Sequence, residues 1–154
     1  MTVTAWRIVK AKYAATAMTG AGAKRYPGRW NRFGEAVVYA AGSQSLAILE
    51  MLVHLEANDP LSKYALLRIE IPESLIARTK TGRLPRNWKA DEIPESTRQF
   101  GSEWFTSLRS CVLEIPSVIV DSEMNYLINP LHPHVSKLVI GKAEPFRFDP
   151  RLIK

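Results

Sequence analysis

Short apolar runs separated by turn-forming residues dominate the chain, and they predict a protein of short β-strands. Glycine, proline and asparagine recur between these runs, which is typical of the connections between strands. In the run 66–71, apolar and charged residues alternate, so Arg68 and Glu70 fall on one polar face. The predicted strands are 6–9, 36–41, 65–71, 111–115, 117–120, 135–140 and 146–148.

One longer apolar segment, 46–57, predicts a helix. It contains no glycine or proline, Ser43 or Ser45 can cap its start, and the residues 58–60 (Asn-Asp-Pro) end it. Glu50 falls among apolar neighbours on this helix. We therefore expect its carboxylate to be at least partly buried.

A weaker helical pattern lies in 94–108, where Ser96 or Thr97 can cap the start. Strands and helices together predict an α+β fold, a compact domain of short strands with a central helix. The 154 residues contain no internal repeat, no low-complexity segment and no proline-rich linker. We therefore expect a single domain over 1–154.

The composition, 46% apolar and 23% charged, is that of an ordinary globular domain. Cys111 is the only cysteine, so no internal disulfide can form, and a reducing compartment is expected. Residues 1–10 lack the apolar stretch of a signal peptide. The apolar stretch 36–49 is too short and too interrupted to span a bilayer. These features predict a cytoplasmic protein.

The net charge of +6 is concentrated in the first third of the chain. Residues 1–58 carry seven basic and three acidic side chains. Such a bias favours an anionic partner: a nucleic acid, a phosphate-bearing small molecule or an acidic protein. Aromatic residues do not alternate with basic ones, as they do on surfaces that bind single strands, which disfavours nucleic acid.

The segment 20–31 is both glycine-rich and basic. A dinucleotide-binding fingerprint needs a strand before its glycines and a helix after them, whereas Tyr26, Pro27 and Gly28 indicate turns here. The glycines would still let the backbone approach a ligand, and Arg25 and Arg29 could bind phosphate oxygens. The alternative is a solvated turn with surface arginines.

Glu50 is the second unusual residue, because a carboxylate among apolar side chains needs a cation or hydrogen-bond donors. Arg29 is a plausible partner, and the alternative to a functional role is a structural ion pair. Tyr39, at the end of a predicted strand, is by default a core aromatic residue. Cys111 is interpreted as a small core residue, and Ser117 lies outside any nucleophile-elbow motif.

The histidines do not predict a metal site. Glu50 and His54 have helical i, i+4 spacing, and His132 and His134 flank Pro133, but two ligands do not make a site. We therefore expect no metal.

Motifs in a fixed order run along the whole chain. The N-terminal motifs are a strand at 6–8, a glycine-rich block from Gly20 that ends in Gly-Arg-Trp-Asn at 28–31, a strand at 37–39 and a helix at 46–54. The middle of the chain contributes Leu84, Pro85, Trp88, Thr97, Gly101 and Trp104. The C-terminal signature is Pro116, Ser117, Asn125, Tyr126, Asn129, Pro130, His132 and Pro133, followed by the ending at 148–152. In this order they resemble the RES domain, a family named for an Arg, a Glu and a Ser that occurs as the toxin of bacterial toxin–antitoxin pairs. Pro27 is a departure, since the family usually has a glycine there.

The resemblance implies a fold similar to that of the ADP-ribosyltransferase toxins and an activity that consumes NAD as substrate. The expected function is NAD degradation by cleavage of the nicotinamide–ribose bond, through hydrolysis or phosphorolysis. The alternatives are ADP-ribosylation of a protein and a binding module without catalysis. The implied partner is a small helix-turn-helix antitoxin of the Xre type in a hetero-oligomer, with neither nucleic acid nor a membrane bound by this chain.

The resemblance also assigns residues. Glu50 is expected to face the sugar cation that forms in the transition state, and Arg29 to hold the pyrophosphate. Tyr39 is expected to stack on the nicotinamide ring and Ser117 to bind ribose or amide. Arg7 and Asn125 are weaker candidates for the same pocket.

Overall fold

Residues 1–153, which the computed structural model describes, are organised by an eight-stranded sheet. Its strands are β1 (Thr2–Lys10), β2 (Val38–Ala41), β3 (Tyr64–Pro72), β4 (Ile76–Arg78), β5 (Val112–Pro116), β6 (Met124–Ile128), β7 (Val139–Ile140) and β8 (Glu144–Phe146). The order across the sheet is β4-β5-β6-β2-β1-β3-β7, with β8 also paired to β3. The pair β4–β5 is parallel and the other pairs are antiparallel.

Within residues 1–153, three α-helices and several short 3₁₀ turns connect the strands. The helices are α1 (Ala21–Arg25), α2 (Gln44–Leu52) and α3 (Glu95–Ser107). Ser43 caps α2, because its hydroxyl oxygen accepts a hydrogen bond from the backbone N–H of Leu46 at 3.0 Å. The α+β class predicted from the sequence is therefore confirmed.

Alternation along β1 separates two apolar layers. Ala5 packs with Val38 and Ile69 on one face of the sheet. Trp6 and Ile8 contact the cluster that contains Leu46 of α2 on the other face. The helix that carries Glu50 therefore lies against the face of β1 that Trp6 and Ile8 share.

A tryptophan-rich cluster joins the glycine-rich segment to α3. Trp30, Trp88 and Trp104 are buried together with Leu113 of β5 and Leu127 of β6. Gly101 of α3 lies against the backbone of Trp30, so closely that an added Cβ would be 1.6 Å from the Trp30 carbonyl oxygen. The segment before β2 is thus packed directly onto α3.

The strands predicted at 6–9, 36–41, 65–71 and 111–115 are confirmed with shifted ends. The strand predicted at 117–120 is wrong. Ser117 turns the chain instead, because its hydroxyl accepts hydrogen bonds from the N–H groups of Ile119 and Val120. The strands β4 and β6 were not predicted. In 135–140 only Val139–Ile140 is a strand, and the last strand ends at Phe146.

The helix predicted at 46–57 is shorter than expected. It ends at Leu52, and a series of turns follows, so His54 and Ala57 lie beyond it. The helix predicted in 94–108 is confirmed as α3. Neither Ser96 nor Thr97 caps α3; Thr97 instead donates its hydroxyl hydrogen to the carbonyl of Pro94 at 2.9 Å.

Candidate active site

The Glu50 carboxylate is held by two side chains from the sheet. Its Oε1 accepts a hydrogen bond from the Ser117 hydroxyl at 2.7 Å and another from Asn125 Nδ2 at 2.7 Å. Its Oε2 has no hydrogen-bond partner within residues 1–153, and the side chain is only half-buried. One carboxylate oxygen is therefore fixed and the other is free to meet a ligand.

The chain order brings these three residues together. Only Gly42 and Ser43 separate β2 from α2, so the helix returns over the sheet beside β2. The antiparallel register places Asn125 of β6 opposite Ala41 of β2 and Ile115 of β5. Ser117 follows the end of β5, and its N–H donates to the carbonyl of Glu123 at 2.8 Å.

Ser117 is fully buried and its hydroxyl is completely used. It donates to Glu50 and accepts from two backbone N–H groups, those of Ile119 at 3.0 Å and Val120 at 3.1 Å. Ser117 is therefore positioned to hold the Glu50 carboxylate in place. Asn125 also supports Glu50, while its own Oδ1 is buried without a partner within residues 1–153.

The Arg29 guanidinium is held by backbone carbonyls from another part of the chain. Its Nη1 donates to the carbonyl of Trp88 at 3.1 Å and to that of Ala90 at 2.7 Å. Partial burial lowers the pKa of Arg29, and the negative charges of Glu50 and Asp91 act in the opposite direction. Its Nε and Nη2 have no protein partner within the described chain.

The ion pair expected between Arg29 and Glu50 is not formed, since no nitrogen of Arg29 lies within 4.0 Å of the carboxylate. The guanidinium instead donates hydrogen bonds to the carbonyls of Trp88 and Ala90, and the carboxylate accepts hydrogen bonds from Ser117 and Asn125. The two opposite charges influence each other across a gap. The carboxylate and the guanidinium therefore remain two separate charges, not neutralised by a direct ion pair with each other.

Tyr39 lies on the same face of the sheet as Asn125, because Tyr39 pairs with Leu127 and Ala41 pairs with Asn125. Its hydroxyl donates to Asn31 Oδ1 at 2.6 Å and accepts from the N–H of Trp30 at 3.1 Å. Burial raises the pKa of Tyr39, so the hydroxyl stays protonated. The ring is half-buried.

Arg7 lies on the opposite face of the sheet. Trp6 is paired with Ala41 and shares a face with Tyr39, so the next residue along β1 points the other way. Its guanidinium donates to the carbonyls of Ala17 at 2.9 Å and Tyr39 at 2.8 Å. Burial lowers the pKa of Arg7 to about 10. The structure thus does not bring Arg7 to Glu50; it places Arg7 behind the backbone of Tyr39.

A separate groove of about 780 Å³ lies at the ends of β1 and β3. It is lined by Lys10, Lys12, Lys63 and Arg147 among mainly apolar residues, and none of the six predicted site residues lines it. All six therefore lie outside this groove, and Glu50, Tyr39 and Asn125 lie on the side of the sheet that α2 covers.

Within residues 1–153 no three His, Cys, Asp or Glu side chains lie close enough to hold a metal ion together. His132 instead contacts the carbonyl of Leu108 through Nε2 at 2.9 Å. In the same part of the chain, no helix has both the length and the apolar character needed to cross a membrane.

Comparison with solved structures defines the class of fold. The chain matches one from the crystal structure of the M. tuberculosis MbcT–MbcA toxin–antitoxin complex with a TM-score of 0.73, over 99% of this chain and 87% of that chain. The sequence identity is 19%, so this likeness establishes the fold alone.

Sequence comparison then defines the family. A Sphingobium sp. protein named Prs ADP-ribosylating toxin is 42% identical over 100% of this chain and 99% of its own length. A Yersinia enterocolitica protein named Toxin Res is 42% identical over 96% of this chain and 97% of its own length. The profile of the RES domain matches residues 4–149. The chain belongs to the RES domain family.

Proposed function

We propose that this RES-domain protein is the toxin of a toxin–antitoxin pair and that it degrades NAD by cleaving the bond between nicotinamide and ribose. The observation that carries the proposal is the state of Glu50. One of its carboxylate oxygens is fixed by Ser117 and Asn125 while the other has no protein partner within residues 1–153. Such a carboxylate is preorganised for a positive charge that develops next to it.

The reaction requires stabilisation of a cation on the sugar. When the bond from ribose C1′ to the nicotinamide nitrogen breaks, the electron pair leaves with nicotinamide, which departs neutral, and the ribose becomes oxocarbenium-like. A carboxylate beside this carbon stabilises the transition state more than the ground state. Glu50 takes this role and also orients the nucleophile through a hydrogen bond. Water then gives ADP-ribose, and inorganic phosphate gives ADP-ribose phosphate.

The other residues bind and orient the dinucleotide. The Arg29 guanidinium has Nε and Nη2 available for the pyrophosphate oxygens, as a charge-assisted pair of hydrogen bonds. The Tyr39 ring stacks on nicotinamide. Ser117 and Asn125 act through Glu50, because both donate to its Oε1. Arg7 supports the strand that carries Tyr39 from the opposite face.

A second candidate function is ADP-ribosylation of a protein, which the name of the Sphingobium relative favours. Its first step is the same cleavage, and the two functions differ in the nucleophile. In this case a side chain of a target protein attacks C1′ in place of water or phosphate. Glu50 serves both reactions in the same way.

Product analysis separates these possibilities. The purified chain is incubated with NAD in three arms, without phosphate, with phosphate and with candidate protein acceptors, and the products are identified by mass spectrometry. ADP-ribose in every arm supports hydrolysis, ADP-ribose phosphate in the second arm supports phosphorolysis, and a mass increase on an acceptor supports protein modification. Intact NAD in all three arms would leave a binding module without catalysis.

The proposed antitoxin partner acts by covering the site. The exposed Arg25 and the half-buried Arg29 make the entrance electropositive, which suits an acidic or carboxylate-bearing segment of the antitoxin. Expression without the antitoxin is expected to arrest growth as cellular NAD falls, and the purified complex should release no nicotinamide. A complex as active as the free chain would exclude occlusion, and growth arrest at constant NAD would favour protein modification.

A further inference from the structure

Asn31 is at the centre of the segment that carries Arg29, although the chemistry proposed above gives it no part. Its side chain is fully buried. Its Oδ1 accepts from the N–H of Gly28 at 2.9 Å and from the Tyr39 hydroxyl at 2.6 Å. Its Nδ2 lies within hydrogen-bond distance of the carbonyls of Ala23, Arg32 and Glu35, the shortest contact being 2.8 Å to Ala23. A side-chain amide has two acceptor positions and two N–H donors, so its capacity is fully used.

These bonds enclose Arg29 on both sides along the chain. The N–H of Gly28, the residue before Arg29, donates to Asn31. The N–H of Trp30, the residue after it, donates to the Tyr39 hydroxyl, which itself donates to Asn31. The backbone of Arg29 is therefore fixed relative to the side chain of Tyr39 through one amide.

Close packing reinforces this circuit, by which we mean the hydrogen bonds that join Gly28, Trp30, Asn31 and Tyr39. A Cβ added to Gly28 would lie 2.8 Å from the Tyr39 hydroxyl oxygen, so this backbone approaches the ring as no larger residue would allow. Arg98 of α3 also donates to the carbonyl of Gly28, at 3.3 Å. The segment is held from α3 on one side and from β2 on the other.

We infer that Asn31 is a positioning residue, which holds Arg29 and Tyr39 at the spacing that the pyrophosphate and the nicotinamide ring of one dinucleotide require. The inference rests on the proposed function. The Tyr39 hydroxyl makes both of its hydrogen bonds within the protein, to Asn31 and from Trp30. Tyr39 therefore contacts the ligand through its ring face and not through its hydroxyl. Asn31 touches neither reacting atoms nor substrate and acts through the two residues that do.

The test combines single and double variants. Asn31→Ala is expected to raise KM for NAD about tenfold, with kcat within threefold of the parent, because Glu50 and its supports are untouched. Tyr39→Phe, which keeps the ring and removes the hydroxyl, should raise KM to a similar extent. The double variant should be no worse than either single one, because both remove the same circuit. Asn31→Asp places a buried carboxylate oxygen against the three carbonyls that Nδ2 meets, so it should raise KM and lower the melting temperature at least as much as Asn31→Ala.

Asn129→Ala is the matched control. Asn129 is also a buried asparagine that holds a turn, accepting from the N–H of Leu131 at 2.9 Å and donating to the carbonyl of Phe105 at 3.2 Å. Its loss should lower the melting temperature and leave KM unchanged. An Asn31→Ala protein that behaves like Asn129→Ala, with a lower melting temperature and the parent's KM, would overturn the inference, as would additive effects of Asn31→Ala and Tyr39→Phe.

Amide hydrogen exchange supplies a readout that does not depend on activity. Protection of the amides of Gly28 and Trp30 should fall at least tenfold in Asn31→Ala and remain unchanged in Asn129→Ala. A parent protein that releases no nicotinamide would refute the proposed function, whereas unchanged protection in Asn31→Ala would refute the inference itself. If Asn31→Ala does not fold, Tyr39→Phe carries the same test, since it removes the acceptor of the Trp30 N–H and the hydroxyl donor to Asn31 while Asn31 keeps its other hydrogen bonds.

Discussion

Glu50 and Arg29, the two charged residues of the site, are held in opposite ways. The carboxylate is fixed by side-chain donors at the ends of regular strands, Ser117 after β5 and Asn125 in β6. The guanidinium is fixed by backbone carbonyls of the segment 88–90, and its own backbone by the side chains of Asn31 and Tyr39.

This difference separates two kinds of sensitivity. Side-chain donors around a carboxylate control its orientation toward a developing charge, so their loss is expected to change the rate of the chemical step. A segment held through its backbone is sensitive to packing, so a change there is expected to alter stability and substrate binding first. Four substitutions test this division, two on each side.

Glu50→Gln is expected to have the largest effect. It keeps the shape of the side chain and removes the charge that we propose faces the sugar cation, which should lower kcat by about a hundredfold or more, on the order of 3 kcal/mol in the barrier. NAD binding, measured by calorimetry, should change much less. Glu103→Gln, at an exposed helical glutamate, is the control and should retain the parent's kcat. Equal losses in kcat and in NAD affinity would assign Glu50 to ground-state binding.

Gly101→Ala should be the most destabilising change in the other region. Its Cβ would lie 1.6 Å from the Trp30 carbonyl oxygen, so α3 or the Arg29 segment must move, at a cost of about 3 kcal/mol in the free energy of unfolding. Thermal and urea melts measure this loss. A Cβ at Gly82 meets no atom within 4 Å, so Gly82→Ala should be nearly neutral. Equal stability of the two variants would contradict the packing of α3 on Trp30.

Arg29→Ala is expected to weaken NAD binding. Removal of the proposed charge-assisted pair of hydrogen bonds to the pyrophosphate should raise Kd by about thirtyfold, roughly 2 kcal/mol. The rate should fall as well, but less than in Glu50→Gln. Arg86→Ala, at an exposed arginine outside the segment, should bind NAD like the parent. A folded Arg29→Ala protein with the parent's Kd would remove Arg29 from the pyrophosphate site.

Ser117→Ala should have the smallest effect of the four. Glu50 would keep its hydrogen bond from Asn125 and lose the one from Ser117, which should lower kcat about tenfold, near 1.4 kcal/mol. Ser110→Ala is the matched control, because the Ser110 hydroxyl also both accepts and donates hydrogen bonds, with Trp104 and Val112, away from the site. If Ser117→Ala and Ser110→Ala lower stability alike and both keep the parent's kcat, Ser117 has no part in orienting Glu50.

The same contrast explains what could be predicted from the sequence. The Glu50 side follows periodic patterns: β2 and α2 are apolar runs bounded by Gly42 and Ser43, and their existence was predicted correctly. The strand β6 escaped prediction because Asn125, a polar residue near its start, faces Glu50 instead of the core. The end of α2 escaped it because Val53 and Leu55 continue an apolar pattern through turns.

The segment that carries Arg29 could be located in the sequence, but its hydrogen-bond partners could not be predicted from it. Glycine and arginine marked the segment as unusual, yet no periodicity indicates that Trp88 and Ala90 would supply carbonyls to Arg29. The predicted contact of Arg29 with Glu50 is wrong because these carbonyls take its place. Asn31 was recognised only as the last residue of the Gly-Arg-Trp-Asn motif. Its burial beside Tyr39 results from long-range packing.

The central claim is that this chain breaks the nicotinamide–ribose bond of NAD at Glu50. The most direct measurement is the time course of nicotinamide released from NAD by the purified chain without antitoxin. The control is the Glu50→Gln protein, shown to melt at the same temperature as the parent. We expect many equivalents of nicotinamide per protein molecule from the parent and about a hundredfold less from the variant. Intact NAD after incubation with the folded parent, or equal release by parent and variant, would contradict it.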